Sequence, residues 1–132
     1  MIDENAFLEN LKAEWGISVV EVGDDYLKTE MTLEKSSFFN PLGIVYGGVL
    51  FQLSDVSAGI AARVFGLHSA TAQGNINYYR AVKSGKVQCI CRVEKIGSRL
   101  SFLKSTLFND GEKPVAEAQF IFCPYESKVV QT

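Results

Sequence analysis

The chain has 132 residues, 47% of them hydrophobic and 21% charged, with 13 basic against 15 acidic side chains and a net charge of −2. That length suits one domain spanning 1–132, the apolar share excludes a disordered chain, and the charge balance argues against a nucleic-acid binder, which needs a basic surplus. No apolar run approaches the roughly 18 residues of a membrane span, and the acidic start lacks a cationic leader and cleavage signal, which points to the cytoplasm.

Residues 3–14 carry a helical stripe of Phe7, Leu8 and Leu11. Two strands are expected over 16–22 and 26–33, around the turn Gly23, Asp24, Asp25; Leu27, Met31 and Leu33 alternate onto one face of the second. Residues 34–44 form a loop marked by Pro41 and Gly43. A long apolar helix follows over about 46–65. Its Gly48, Ser54, Ser57, Ala58, Gly59, Ala61 and Ala62 suit close packing, and Gly66 is its stop.

The remainder reads as four strands. Residues 69–80 place Thr71, Gln73, Asn75, Asn77 and Tyr79 on one face. Residues 86–96 turn Val87, Cys89, Cys91 and Val93 inward, and 99–108 form the next strand. Asn109, Asp110 and Gly111 make a hairpin turn. Residues 114–123 align Ala116, Ala118, Phe120 and Phe122, and 125–132 form a loose tail. Helix, two strands, long helix and four strands make an α+β order, expected to run as a single meander wrapped around the long helix. Cys89, Cys91 and Cys123, with one histidine, give neither a disulfide framework nor metal-ligand spacing.

Asp55 breaks the pattern of the long helix. A carboxylate is rarely buried without a partner, and Arg63, eight residues on, lies about 12 Å along the axis. Either Asp55 caps a broken helix or bonds Ser54 or Ser57, or it is a carboxylate poised as general base or nucleophile. Gly47 and Gly48 open the helix, where unpaired N–H groups and the positive dipole end can hold an oxyanion; a tight turn would also call for them. Gly47 and Asp55 are again about 12 Å apart on one helix. Reacting groups must lie about 3 Å from a common centre, so one copy cannot supply both. Two antiparallel copies across a two-fold axis can, which makes a homodimer the minimal unit.

The pattern N-P-L-G-x-V-Y-G-G-x-x-F-x-L-x-D from Asn40, followed by A-T-A-x-x-x-I-N-Y-Y-R-A-V-K-S-G and V-E-K-I-G-S-R-L-S-F, resembles the hotdog-fold acyl-CoA thioesterases, the phenylacetate-pathway (PaaI-like) type nearest. The resemblance covers about residues 38–122. It implies an antiparallel sheet of five or six strands wrapped around one central helix. It also implies hydrolysis of an acyl-CoA or aryl-CoA thioester without metal or redox cofactor, by a homodimer or, as the expected assembly, a homotetramer.

On the family pattern Asp55 is the catalytic carboxylate, Gly47 the oxyanion donor, and Asn40 a loop residue that places thioester or water. Thr71 falls where relatives carry a hydroxyl near the attacking water. Tyr46 and Gly48 are implied to meet the substrate, and Tyr79, Arg80, Gly97, Ser98 and Arg99 fall in segments that meet CoA. Arg80, Lys83 and Arg99 are the cations there that could meet phosphates. The family's histidine is Tyr46 here, which bears on rate and substrate range. A non-catalytic acyl-CoA binder or sensor is the alternative. A dehydratase of the same fold would want an Asp/His dyad, and His68 reads as a surface residue.

Overall fold

The computed structural model describes residues 3–124, so the expected tail at 125–132 lies outside the described residues. Helix α1 spans Glu4–Trp15 and is capped at its start by the Asp3 carboxylate, which accepts from the Asn5 amide. It ends at Gly16, whose φ of 67° is the left-handed conformation that glycine adopts without strain. A Cβ at Gly16 would also stand 2.8 Å from the Thr32 carbonyl oxygen. Strands β1 (Ile17–Val22) and β2 (Tyr26–Thr32) follow as a hairpin. The expected loop holds a 3-10 turn over Ser36–Phe38 and an isolated bridge between Phe39 and Val45.

The long helix, α2, spans Gly47–Val64 unbroken. Strands β3 (Ser69–Tyr78), β4 (Lys86–Ile96), β5 (Ser101–Asn109) and β6 (Pro114–Pro124) complete one antiparallel sheet of six strands. Its order is β1-β2-β4-β5-β6-β3. The expected single meander is therefore wrong at one point. After α2 the chain crosses to the far edge, so β4 pairs with β2 and β3 pairs with β6. The reason is α2 itself, which carries the chain along the sheet's inner face and delivers β3 beyond β6.

Small residues seat α2 deep against the sheet. Ala58 and Ala61 are fully buried, with Ser54 and Ser57 beside them. Two apolar clusters lie along the helix. One gathers Leu50, Leu53, Met31, Val87 and Leu107, and the other Ala58, Ala61, Leu103, Phe120 and Phe122. Between them runs a short polar seam. Ser54 and Ser57 donate to the carbonyls of Leu50 and Leu53, Thr29 meets Ser57 at 2.7 Å, and Ser105 donates to the Ser54 carbonyl. No buried side-chain oxygen or nitrogen among the described residues lacks a partner. Cys89 and Cys91 pack beside the seam, and burial pushes the Cys91 thiol up to about 12, so both behave as small apolar groups.

Gly59 is exposed in the middle of α2, and a Cβ built there would touch nothing within 4 Å. Glycine in a helix interior costs about 1 kcal/mol relative to alanine. Gly59→Ala is therefore expected to raise the unfolding free energy by about 0.5–1 kcal/mol, read from urea midpoints at constant slope. A loss of stability would show that the space beside Gly59 is filled in solution.

Candidate active site

Asp55 stands half-buried on α2, and its Oδ1 accepts a 2.8 Å hydrogen bond from the Thr71 hydroxyl. The local alternatives fall away, because Ser54 and Ser57 bond back to their own helix. Thr71 reaches Asp55 through a bulge. Thr71 pairs with Phe122, but Gln73 pairs with Ile121, so Ala72 is an extra residue in the ladder. Strict alternation would keep Thr71 on the face of Gln73, Asn75 and Asn77. The bulge moves it to the inner face with Gly74, Ile76 and Tyr78. This corrects the sequence expectation and explains the contact.

The Asp55 carboxylate opens onto a cleft of about 760 Å³. Apolar walls come from Phe7 and Leu8 of α1, Val56, Ile60 and Val64 of α2, and Phe122 of β6. Phe7 and Leu8 thus border this cleft at 39% and 41% exposure, and only Leu11 of the expected α1 stripe enters the core. Arg63 pairs with Glu4 at 2.9 Å along the cleft's rim. Among the described residues, no three His, Cys, Asp or Glu side chains converge to hold a metal ion.

The other expected residues gather at the opposite end of α2. Tyr46 is the N-cap position, makes no side-chain cap bond and is 48% exposed. The amides of Val49 and Leu50 both point to the Tyr46 carbonyl. The amides of Gly47 and Gly48 precede them, with no acceptor among the described residues. Asn40 shapes the approach. Its Oδ1 accepts from the amides of Leu42 and Ile44, and its own amide donates to the Ile44 carbonyl. This Asx-type turn holds the loop that leads into the helix.

Tyr78 is a site residue that the sequence reading did not single out. Its hydroxyl donates to the Gly47 carbonyl at 2.7 Å, and a Cβ at Gly47 would meet its ring tip at 2.9 Å. Burial raises its pKa above the ordinary value of 10, so the phenol keeps its proton and donates. The Gly47 carbonyl and the Gly48 N–H share one peptide plane, so Tyr78 fixes the direction of the Gly48 donor. The alternating pattern offered a signal, since Tyr78 falls on the inner face with Ile76.

A smaller cleft of about 370 Å³ at this end is lined by Gly47, Leu50, Tyr78, Arg80 and Val82. Tyr79 borders the same cleft. Its hydroxyl donates to Glu117, which also binds Lys104 at 2.9 Å. Lys104 and Tyr79 together hold the Glu117 carboxyl below its usual range. Gly97, Ser98 and Arg99 form the β4–β5 turn, where the Gly97 amide donates to the Leu100 carbonyl. The register Thr71–Phe122–Ser101 puts that turn at the Asp55 end of the sheet. Tyr78 pairs with Ala116 six residues along β6, roughly 20 Å away. One chain therefore gathers Asp55, Thr71 and the Gly97–Arg99 turn at one end, and Asn40, Tyr46, Gly47, Gly48, Tyr79 and Arg80 at the other.

Residues 42–116 match the model of the thioesterase superfamily. A candidate esterase of Archaeoglobus fulgidus is 24% identical over 102 residues, covering 76% of this chain. The chain spans 66% of that relative's length. The Escherichia coli PaaI protein of the phenylacetic acid degradation operon superposes with a TM-score of 0.83 at 21% identity, covering 92% of this chain and 90% of that one. A hypothetical thioesterase of Streptococcus pneumoniae, solved with coenzyme A, gives a TM-score of 0.82 at 21% identity, covering 92% and 95%.

The contact between Tyr78 and Gly47 makes a stability prediction. Tyr78→Phe removes the bond, and Gly47→Ala displaces the ring that makes it. Each is expected to cost about 0.5–1.5 kcal/mol, and the double variant no more than the larger single loss. Additive losses in urea unfolding would show that the two residues act separately.

Proposed function

Because the chain belongs to the thioesterase superfamily and shares its hotdog fold, we propose that it hydrolyses an acyl-CoA or aryl-CoA thioester to the free acid and CoA. The observation that carries this reading is Asp55, anchored by Thr71 at the wall of an apolar cleft. A helix start with unpaired glycine amides supplies the complementary donors. Asp55 takes a proton from water, and the oxygen adds to the thioester carbonyl. The oxyanion is held by the Gly47 and Gly48 N–H groups of a second copy. Collapse of the intermediate breaks the C–S bond, and the proton on Asp55 passes to the departing thiolate. In the direct-attack variant Asp55 forms a mixed anhydride that water then opens. Label found on Asp55 after a single turnover in oxygen-18 water identifies direct attack, with the anhydride opened at the Asp55 carbonyl.

Strand β3 supports the second copy. It is an open edge of the sheet, ten residues long, and it contains no charged residue and no proline. Monomeric proteins protect such edges with charge, proline or a cover. Antiparallel pairing of two β3 edges about a two-fold axis would bring the Gly47 end of one copy to the Asp55 end of the other. Arg80 would then stand beside the CoA phosphates, and a tetramer of two such dimers would keep every site whole. Tyr46, exposed at the place of the family histidine, favours the second reading, an acyl-CoA binder that turns over slowly or not at all.

A thiol-release assay over acetyl-, octanoyl- and phenylacetyl-CoA decides between them. The hydrolase reading expects turnover of at least one ester, and a loss of about 10²-fold or more in Asp55→Asn. Silence on every ester would refute hydrolysis and leave the binder. Tyr46→His is expected to raise kcat by supplying a compact donor to the carbonyl; an unchanged or lower kcat would assign Tyr46 to the substrate pocket.

A further inference from the structure

The cleft beside Asp55 is larger than the attack on a carbonyl requires, and its floor contains an unforced glycine. Asp55, Gly59 and Arg63 are spaced by four along α2 and lie on one face. All three line the cleft. Gly59 has no positive φ, and beyond its chain neighbours and the adjoining helix backbone no atom of the described residues lies within 4 Å of where its Cβ would be. Nothing in the chain calls for glycine there, although glycine weakens a helix interior. Its effect is to keep the cleft open one turn beyond the carboxylate.

Charge selects what enters. The ionisable side chains on the cleft are Glu4, Asp55 and Arg63, and Arg63 is paired with Glu4. The charge left over is the negative one on Asp55, which disfavours the phosphates of CoA and accepts an uncharged apolar group. Of the cations that could meet phosphates, Arg80 and Lys83 sit toward the other end of α2, and Arg99, in the β4–β5 turn at the Asp55 end, does not line the cleft. The half-exposed Phe7 and Leu8 of α1 supply an apolar wall for a ligand to cover.

We infer that the cleft between α1 and α2 receives the acyl or aryl group of the thioester, and that Gly59 sets the size of the group admitted. The inference rests on the hydrolase reading for the reaction, but not for binding. The test compares octanoyl-CoA with acetyl-CoA on the full chain. A leucine at Gly59 grows into the cleft. Gly59→Leu is expected to lower the octanoyl-to-acetyl ratio of kcat/KM at least tenfold, and Gly59→Ala to lower it by a smaller factor. Leu8→Ala, which widens the opposite wall, is expected to raise the ratio. A ratio unchanged in folded Gly59→Leu and Gly59→Ala overturns the inference, as does an equal loss on both esters. Loss of the dimer in Gly59→Leu by sedimentation, where the parent chain is dimeric, also overturns it, by assigning the open space to the partner. If the parent chain hydrolyses neither of these esters, the hydrolase reading fails only where phenylacetyl-CoA is left intact as well. Equilibrium binding of the same two esters then reads the cleft, and a fivefold or greater fall in the relative affinity for octanoyl-CoA in Gly59→Leu sustains the inference. An unchanged relative affinity overturns it.

Discussion

Everything in this structure depends on how closely α2 can approach the sheet. The stripe of Ser54, Ser57, Ala58, Ala61 and Ala62 places almost no side-chain bulk between helix and strands. Serine at two of those positions would leave buried hydroxyls at a cost of a few kcal/mol each if they stood alone. They do not, because each bonds to the carbonyl four residues back, and Thr29 and Ser105 close the seam from the sheet. The seam lies between two apolar clusters. It fixes the rotation of α2, and with it the face on which Asp55, Gly59 and Arg63 emerge.

The seating also explains why one helix carries two unlike ends. The first turn offers amides and no side chains, because Gly47 and Gly48 have none and Tyr46 makes no cap bond. Two turns on, the same helix offers a carboxylate against an apolar wall. A rigid helix holds these ends about 12 Å apart. A flexible loop could have folded one end onto the other, but a helix buried along its length cannot. On the proposed mechanism neither end is complete alone, and the open β3 edge is where a second copy would supply the other.

The sequence displayed the elements well, because strong periodicity marks them. The α2 limits, the inward set on β4 and the inward set on β6 follow from apolar spacing alone. The crossover of β3 was hidden, since strand order depends on which edge a helix reaches and local pattern carries no trace of that. Asp55 was conspicuous as a charge in an apolar helix, but its partner was not. Thr71 is placed by one bulge residue, Ala72, and period-two reading necessarily assigns it to the wrong face. Asn40 was legible as a loop residue, yet its bonds to Leu42 and Ile44 show it shaping the loop as well. Alternation sets Tyr78 on the inner face with Ile76, but its contact with Gly47 is long-range and no local pattern carries it.

The uncharged edge of β3 has a consequence in mass action. If the proposed pairing of β3 edges joins the two half-sites, the chemistry is tied to the concentration of the chain. On the two-chain arrangement, dilution below the dissociation constant leaves each chain folded around α2 but holding two unlike halves. Specific activity then falls in proportion to total chain, and any ligand that binds across both halves restores it by drawing chains together. Substrate would act, in that regime, as the reagent that assembles its own catalyst.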